Sequence, residues 1–171
     1  MSNTAQINFV RQQGFRDAGA SACDQKYPAL VFQPRLIGPI VAIGLLSQAW
    51  PIFLALSAVL WWNVLVPVLN PFDALFNALV ARPRGLPPLT PAPAPRRFAQ
   101  GMAATFNLAI GLSLLSGLNA LAWILEGLLV AALAAILFGR FCLGSYLYYV
   151  FTGDRAFANA TLPWAKAEGP R

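Results

Sequence analysis

The apolar and polar positions of this chain fall into blocks, and the blocks define its elements. Residues 1–35 are mixed, with a short apolar patch around Phe9 and Val10, while Gly14, Gly19 and Pro28 interrupt any long helix. This stretch reads as a weakly structured tail. From Leu36 to Leu69 the chain then carries no charge at all. One helix of that length would run about 51 Å, against a hydrocarbon core of about 30 Å, so the chain must fold back. Ser47-Gln48-Ala49-Trp50-Pro51 is the place, because proline moves its predecessor out of helix and tryptophan prefers the headgroup level. Spans at about 36–48 and 51–69 follow. The first arm alone rises only about 18 Å. It therefore either starts nearer Ala29, with Arg35 snorkelling, or is re-entrant, and a full span is the expectation. Pro67 frees a carbonyl near Asn63 and predicts a kink there.

Asn70-Pro71 opens a short helix over 71–81, with asparagine as cap, proline at the first position and Asp73 in the first turn. Phe72, Leu75, Phe76, Leu79 and Val80 form its apolar stripe, with Asp73 and Asn77 off it. The pattern predicts an interfacial amphipathic helix, or equally a cover for the open end of a bundle. Prolines 83, 87, 88, 91, 93 and 95 make 82–95 an extended linker.

Two further apolar runs, 101–118 and 120–139, are separated by a turn at Gly117, Leu118 and Asn119. Each carries small residues four apart: Gly101, Thr105, Ala109, Ser113 and Gly117, then Gly127, Ala131, Ala135 and Gly139. Residues at that spacing share one helix face, and in lipid such grooves let backbones approach closely. They predict a tightly packed antiparallel transmembrane hairpin within 96–151, around which the chain is organised. Beyond Arg140, the aromatic residues Phe141, Tyr146, Tyr148, Tyr149 and Phe151 suit an interfacial belt. Residues 152–171 read as a polar, mobile tail with Trp164 as a membrane contact.

Composition agrees. Hydrophobic residues make up 58% and charged residues 11% of 171, where a soluble domain has about a quarter charged. No early apolar run follows a basic start, so no cleavable signal peptide is expected and the first span serves as insertion signal. The net charge of +6 does not indicate nucleic acid. The twelve Lys and Arg precede the first run, lie between the second and third, or follow the fourth, and the other two turns have none. With four spans all of them fall on one side, which places both termini in the cytoplasm and the chain in the inner membrane. The expected fold is an all-α, polytopic membrane protein of four transmembrane helices plus the short helix at 71–81.

Chemically the sequence is sparse. Without histidine the usual haem ligand, zinc ligand and general base are missing. No nucleotide loop, hydrolase elbow, metal-ligand cluster or paired carboxylates occur, so no cofactor and no metal are expected. Cys23 and Cys142 both fall on the cytoplasmic side, where thiols stay reduced. Glu126 is the one acidic residue inside a predicted span, level with Ser113 and Ser116 across the hairpin, and reads as an anchor or else an ion site. Asn63 reads as an interhelical polar contact.

Arg96-Arg97-Phe98-Ala99-Gln100-Gly101 and the run from Gly139 through Arg140, Phe141, Cys142, Leu143, Gly144, Ser145, Tyr146, Leu147 to Tyr148 resemble a bacterial membrane-protein family, domain of unknown function 4395, over about 35–151. That family starts its third span with a basic residue, Phe and Ala, ends its fourth with Gly-Phe-Cys-x-Gly-Cys-x-x-Tyr, and often has an x-Pro step after its second span, matched by Asn70-Pro71. Ser145 stands where the second cysteine would be. In the two-cysteine pattern the thiols sit three apart, close enough for a disulfide or a soft metal ion. Here the local pair is lost. Cys142 is left as a candidate thiol, with Arg140 beside it and Cys23 as a distant resolving partner, against the plainer reading of a small apolar packing residue.

The sequence thus points to a non-enzymatic membrane subunit or scaffold whose partners are the lipid bilayer, other membrane subunits or a second copy of itself. A thiol-redox or sulfur-handling protein using Cys142 and a small transporter using Glu126 are the alternatives.

Overall fold

A computed structural model describes residues 4–16, 18 and 20–166. Gly19 and Arg171, used in the sequence reading, lie outside them. Among the described residues the chain is all helix and turn: α1 (Thr4–Gln12), α2 (Ala20–Ser47), α3 (Trp50–Leu65), α4 (Pro71–Phe76), α5 (Ala94–Leu115), α6 (Asn119–Leu137), α7 (Leu143–Phe151) and α8 (Arg155–Ala160).

Among the described residues three helices are long and apolar enough to cross a membrane: Cys23–Ser47 within α2, then α5 and α6. The first differs from the expected arm at 36–48. It starts much earlier and runs through Pro28, Pro34 and Pro39. Each proline removes one helical hydrogen bond, but a long helix held by neighbours absorbs such losses. The fold-back comes between Ser47 and Trp50, with Gln48 in the left-handed region at φ 47°. The second run splits. α3 has 16 residues, and instead of kinking at Asn63 it ends at Leu65, where the Val66 amide donates to the Trp62 carbonyl and a 3-10 turn, Pro67–Leu69, follows. Arg97 then donates from Nε and Nη2 to the Val64 carbonyl at 3.2 and 3.0 Å. A guanidinium thereby satisfies a carbonyl that the helix end leaves open.

The main core lies where α2, α3, α5 and α6 converge on Val41, Phe53, Leu60 and Ile110. Within it α3 and α5 run antiparallel in close contact. A side-chain carbon at Gly111 would sit 2.6 Å from Leu54, and the Ser57 hydroxyl donates to the Ala104 carbonyl at 2.9 Å.

The two ends of the chain depart most from expectation. The tail read over 1–35 is largely helical: α1 buries Phe9 and Val10 against Cys23, Leu30, Val31 and Cys142. Residues 152–166 are not a loose tail either. Asp154 caps α8 by accepting from the Phe157 amide, and it pairs with Arg16 at 2.7 Å. Asn8 Nδ2 donates to the carbonyls of Leu162 and Ala165, at 2.9 Å each. Neither short helix is stable alone; α1 is held by its apolar face on α2 and α8 by packing on α7, and Asn8 and Arg16 tie the two segments together. Tyr149 lies at their meeting point. The Arg16 guanidinium carbon is 5.1 Å from its ring centre and 4.4 Å from that of Phe157. Burial pushes the Tyr149 phenol above the ordinary tyrosine range, against the opposing pull of Arg16.

Candidate functional site

The most concentrated chemistry of the molecule is a buried polar cluster at the N-terminal end of α5. Arg96 is 4% exposed. Its Nη1 and Nη2 donate to Asp73 Oδ2 and Oδ1 at 3.0 and 2.6 Å, a two-bond fork that fits a planar guanidinium to a carboxylate. Nη2 also reaches Gln33 Oε1 at 3.3 Å, and Gln100 Nε2 reaches the same oxygen at 2.9 Å. Three elements supply these groups: α2 gives Gln33, α4 gives Asp73, and one face of α5 gives Arg96 and Gln100. Asn70 orients Asp73 by capping α4, its Oδ1 accepting from the amides of Phe72 and Asp73.

This reverses the reading of helix 71–81. The helical span is there, as α4 continued by a π-turn over Asn77–Ala81, but Asp73 faces inward beside Phe76 while Leu75 and Leu79 are exposed. The inward Arg96 decides the rotation, because a buried guanidinium without a carboxylate costs more than two leucines left outside. Sequence reasoning assigned Arg96 to topology and Asp73 to a helix dipole, and so missed the pair. A signal was present: Arg96, Gln100, Ala104, Asn107 and Gly111 follow three- and four-residue spacing, a polar and small stripe along an apolar helix.

A cavity of ≈ 90 Å³ adjoins the cluster, walled mainly by Leu30, Ile37, Leu60 and Ile136, with Arg96, Gln100 and Cys142 on its lining. Gln100 Oε1 is buried without a partner, as are both polar atoms of the Asn63 side chain and Asn107 Oδ1. Asn63, expected to contact another helix, is fully buried with its amide unpaired.

Cys142 is 5% exposed. It sits below α1, where its backbone amide donates to Gln12 Oε1 at 2.8 Å and its sulfur accepts from the Ser145 hydroxyl at 3.4 Å. Cys23 belongs to the same apolar cluster, and among the described residues neither cysteine is joined in a disulfide. Among the described residues no three His, Cys, Asp or Glu side chains come together.

Glu126 is brought to a different partner from the one expected. It is 2% exposed, and Gln48 Nε2 donates to its two oxygens at 3.2 and 3.4 Å. No hydrogen bond joins it to Ser113 or Ser116 among the described residues. Counting helical rise back from the turn puts residue 108 at its depth, roughly a turn and a half from Ser113. It is the α2–α3 turn that reaches it.

The two rows of small residues also part company. In α5 the buried stripe is offset from the expected row: Ala104 and Gly111 are buried against α3, Gly101 meets Val64, Ser113 is buried, and Thr105 is exposed. Ala109 is half-buried, and Gly117, at φ 72°, makes the turn rather than a groove. In α6, Gly127 has nothing near it, Ala131 is exposed and Ala135 half-buried. Gly139 closes the helix end, where a side-chain carbon would lie 2.8 Å from the Ala135 carbonyl. The row in α6 is therefore not packed against α5.

Fold and site together define a small all-helical protein with membrane-compatible helices and an ion-paired polar interior. No solved structure and no curated protein matches the chain. Residues 29–152 match the family described as Domain of unknown function (DUF4395), and the chain belongs to that family. The matched range takes in α2 from Ala29 onward through α7 and leaves α1, the start of α2 and α8 outside.

Proposed function

We propose that this protein is a non-enzymatic subunit of a larger membrane assembly, docking a partner helix laterally on the outer face of α6. The supporting observation is the row at Gly127 and Ala131. It is left uncovered by the rest of the chain, and Ala131 and Ala135 continue it into an apolar groove of ≈ 360 Å³ shared with Met102 and Phe106 of α5. Only 17% of the apolar window of α6 is buried within the chain, against 39% and 33% for the other two long helices. Backbones pack closely in lipid where small residues leave room, and this row leaves room for a helix from outside.

The proposed topology is four crossings of the inner membrane with both termini cytoplasmic. α3 with its 3-10 turn extends about 30 Å, enough to complete the fourth. The basic residues lie outside the two short turns, as the charge rule requires, and the Arg16–Asp154 pair brings the terminal segments to one end of the bundle.

A photoreactive residue beside the row, activated in intact membranes, tests the docking. With that residue placed at Ile124, exposed one turn before Gly127, the expected result is a discrete adduct with one protein, a second copy or another subunit, which is lost when Gly127→Trp is added to the same chain. Adducts with lipid alone overturn the proposal. Labelling of cysteines introduced near Gln48 and Asn119 from outside intact cells tests the topology, and reaction at a terminal segment instead would refute it.

A further inference from the structure

On the opposite flank of Met102 and Phe106, α3 and α5 border a second groove, of ≈ 560 Å³. Its mouth carries Arg97 and Tyr148, and its floor descends past Gly101 and Met102 to Thr105 and Phe106, with Trp61 and Val64 along the side. From Arg97 to Phe106 the helix rises about 14 Å, close to the depth of one leaflet's hydrocarbon.

The mouth is electrostatically incomplete. Arg97 is exposed, and no carboxylate among the described residues pairs with it; the two ion pairs are Arg16–Asp154 and Arg96–Asp73. The Val64 carbonyl engages Nε and Nη2, fixing the guanidinium at the mouth while leaving its charge uncompensated. Arg96, one residue earlier, has its carboxylate inside the bundle. Arg97 needs its anion from outside.

We infer that this groove is a binding site for one anionic phospholipid, its phosphate held by Arg97 at the mouth and an acyl chain lying along Gly101, Met102 and Phe106. The apolar floor and the cation at its upper end match the two ends of that molecule, and neither a free phosphate nor a purely apolar helix satisfies both. An arginine at the membrane surface contributes about 1 kcal/mol towards an anionic headgroup, or roughly fivefold in occupancy.

Trp61 supplies the readout. The protein is reconstituted in phosphatidylcholine vesicles containing a small fraction of phosphatidylglycerol or phosphatidylcholine brominated on its acyl chains. The fluorescence quenching lost on Trp61→Phe is taken as the groove signal. Brominated phosphatidylglycerol is expected to quench it roughly fivefold more effectively than brominated phosphatidylcholine. Arg97→Gln removes the preference and Arg97→Lys retains it. Gly101→Leu, whose side chain would enter the groove beside Val64, lowers quenching by both lipids and does not touch the Val64 cap. Equal quenching by the two lipids, or a preference that survives Arg97→Gln, overturns the inference. So does a Trp61 that neither lipid quenches while Trp123, 65% exposed on α6, is quenched by both; in vesicles that hold this protein alone, that result leaves a second copy of the chain as the groove's occupant.

Discussion

α5 and α6 are consecutive, apolar and of similar length, and both carry small residues four apart, yet they are packed in opposite ways. α5 closes its face. Arg96, Gln100, Ala104, Asn107 and Gly111 are all buried, and α3 lies close along them. α6 buries only Ala122, Glu126 and Leu129, and turns its glycine and alanine row outward. Small residues show that a helix can accept a close neighbour, without saying which. The choice is made by polar side chains, because a guanidinium or amide inside an apolar bundle must find partners and a glycine need not. In α5 the polar stripe recruits Asp73 and Gln33. In α6 the one charged group, Glu126, recruits Gln48, and the face beside it stays open.

The sharpest way to break this contrast is to unbalance the closed face. Asp73→Ala leaves Arg96 buried without its counter-charge, and removing one member of such a pair costs about 3–5 kcal/mol. The variant is expected to lose folded protein in mild detergent, read by thermal unfolding. Replacing both residues, Asp73→Leu with Arg96→Met, is expected to recover most of the loss. If Asp73→Ala unfolds at the parental temperature, the polar cluster does not hold α4 and α5 together.

The next largest effect compares one glycine from each helix. A side chain at Gly111 would meet Leu54 at 2.6 Å, with the Leu54 backbone nitrogen 3.3 Å away, whereas one at Gly127 meets nothing. Gly111→Leu is therefore expected to destabilise the isolated chain by about 1–3 kcal/mol. Gly127→Leu should leave its unfolding temperature unchanged and weaken only the crosslink formed in membranes. Equal stability losses at the two positions would mean that α6 is packed as tightly as α5.

How far the sequence foretold this arrangement follows from the same contrast. Local signals were readable: the turn at Gly117, the Asn70 cap, the break between Ser47 and Trp50, and the lipid-compatible hydropathy each depend on a few adjacent residues. The charge pairs were not. Asp73 and Arg96 are separated by a proline-rich linker, and a rule that assigns arginines to loops has no way to turn one inward. The ends of the chain were misread for a related reason. α1 and α8 have too few residues to be stable by themselves, and what orders them is mutual burial between distant stretches: Asn8 with Leu162 and Ala165, Arg16 with Asp154. At the candidate site, Cys142 was visible as a residue, but its cover by Gln12 and Phe9 depends on α1 and so escaped notice.

Glu126 sharpens the comparison from the α6 side. Glu126→Gln keeps a partner for Gln48 as an amide pair, so the expected change is under about 1.5 kcal/mol, the worth of an ordinary hydrogen bond. Glu126→Leu removes the partner of a turn residue held in the left-handed region and should cost more. A Glu126→Gln variant that folds normally but alters solute flux in vesicles would favour the transporter reading over an anchor.

The smallest effect belongs to the cap over α7 formed by the two terminal segments. The Tyr149 phenol is raised above its ordinary range, chiefly by burial, with Arg16 opposing. A group whose pKa is raised on folding stabilises the fold fully below its unfolded value, and that contribution fades as the pH climbs through the folded value. Stability should therefore decline on alkaline titration in a step that Tyr149→Phe abolishes, while neutral-pH stability stays nearly the same. Arg16→Gln removes the opposing charge and should move the tyrosinate absorbance of Tyr149 to still higher pH. A shift to lower pH would mean that Arg16 is not over the ring, and the docking of the N-terminal segment onto α7 and α8 would have to be redrawn.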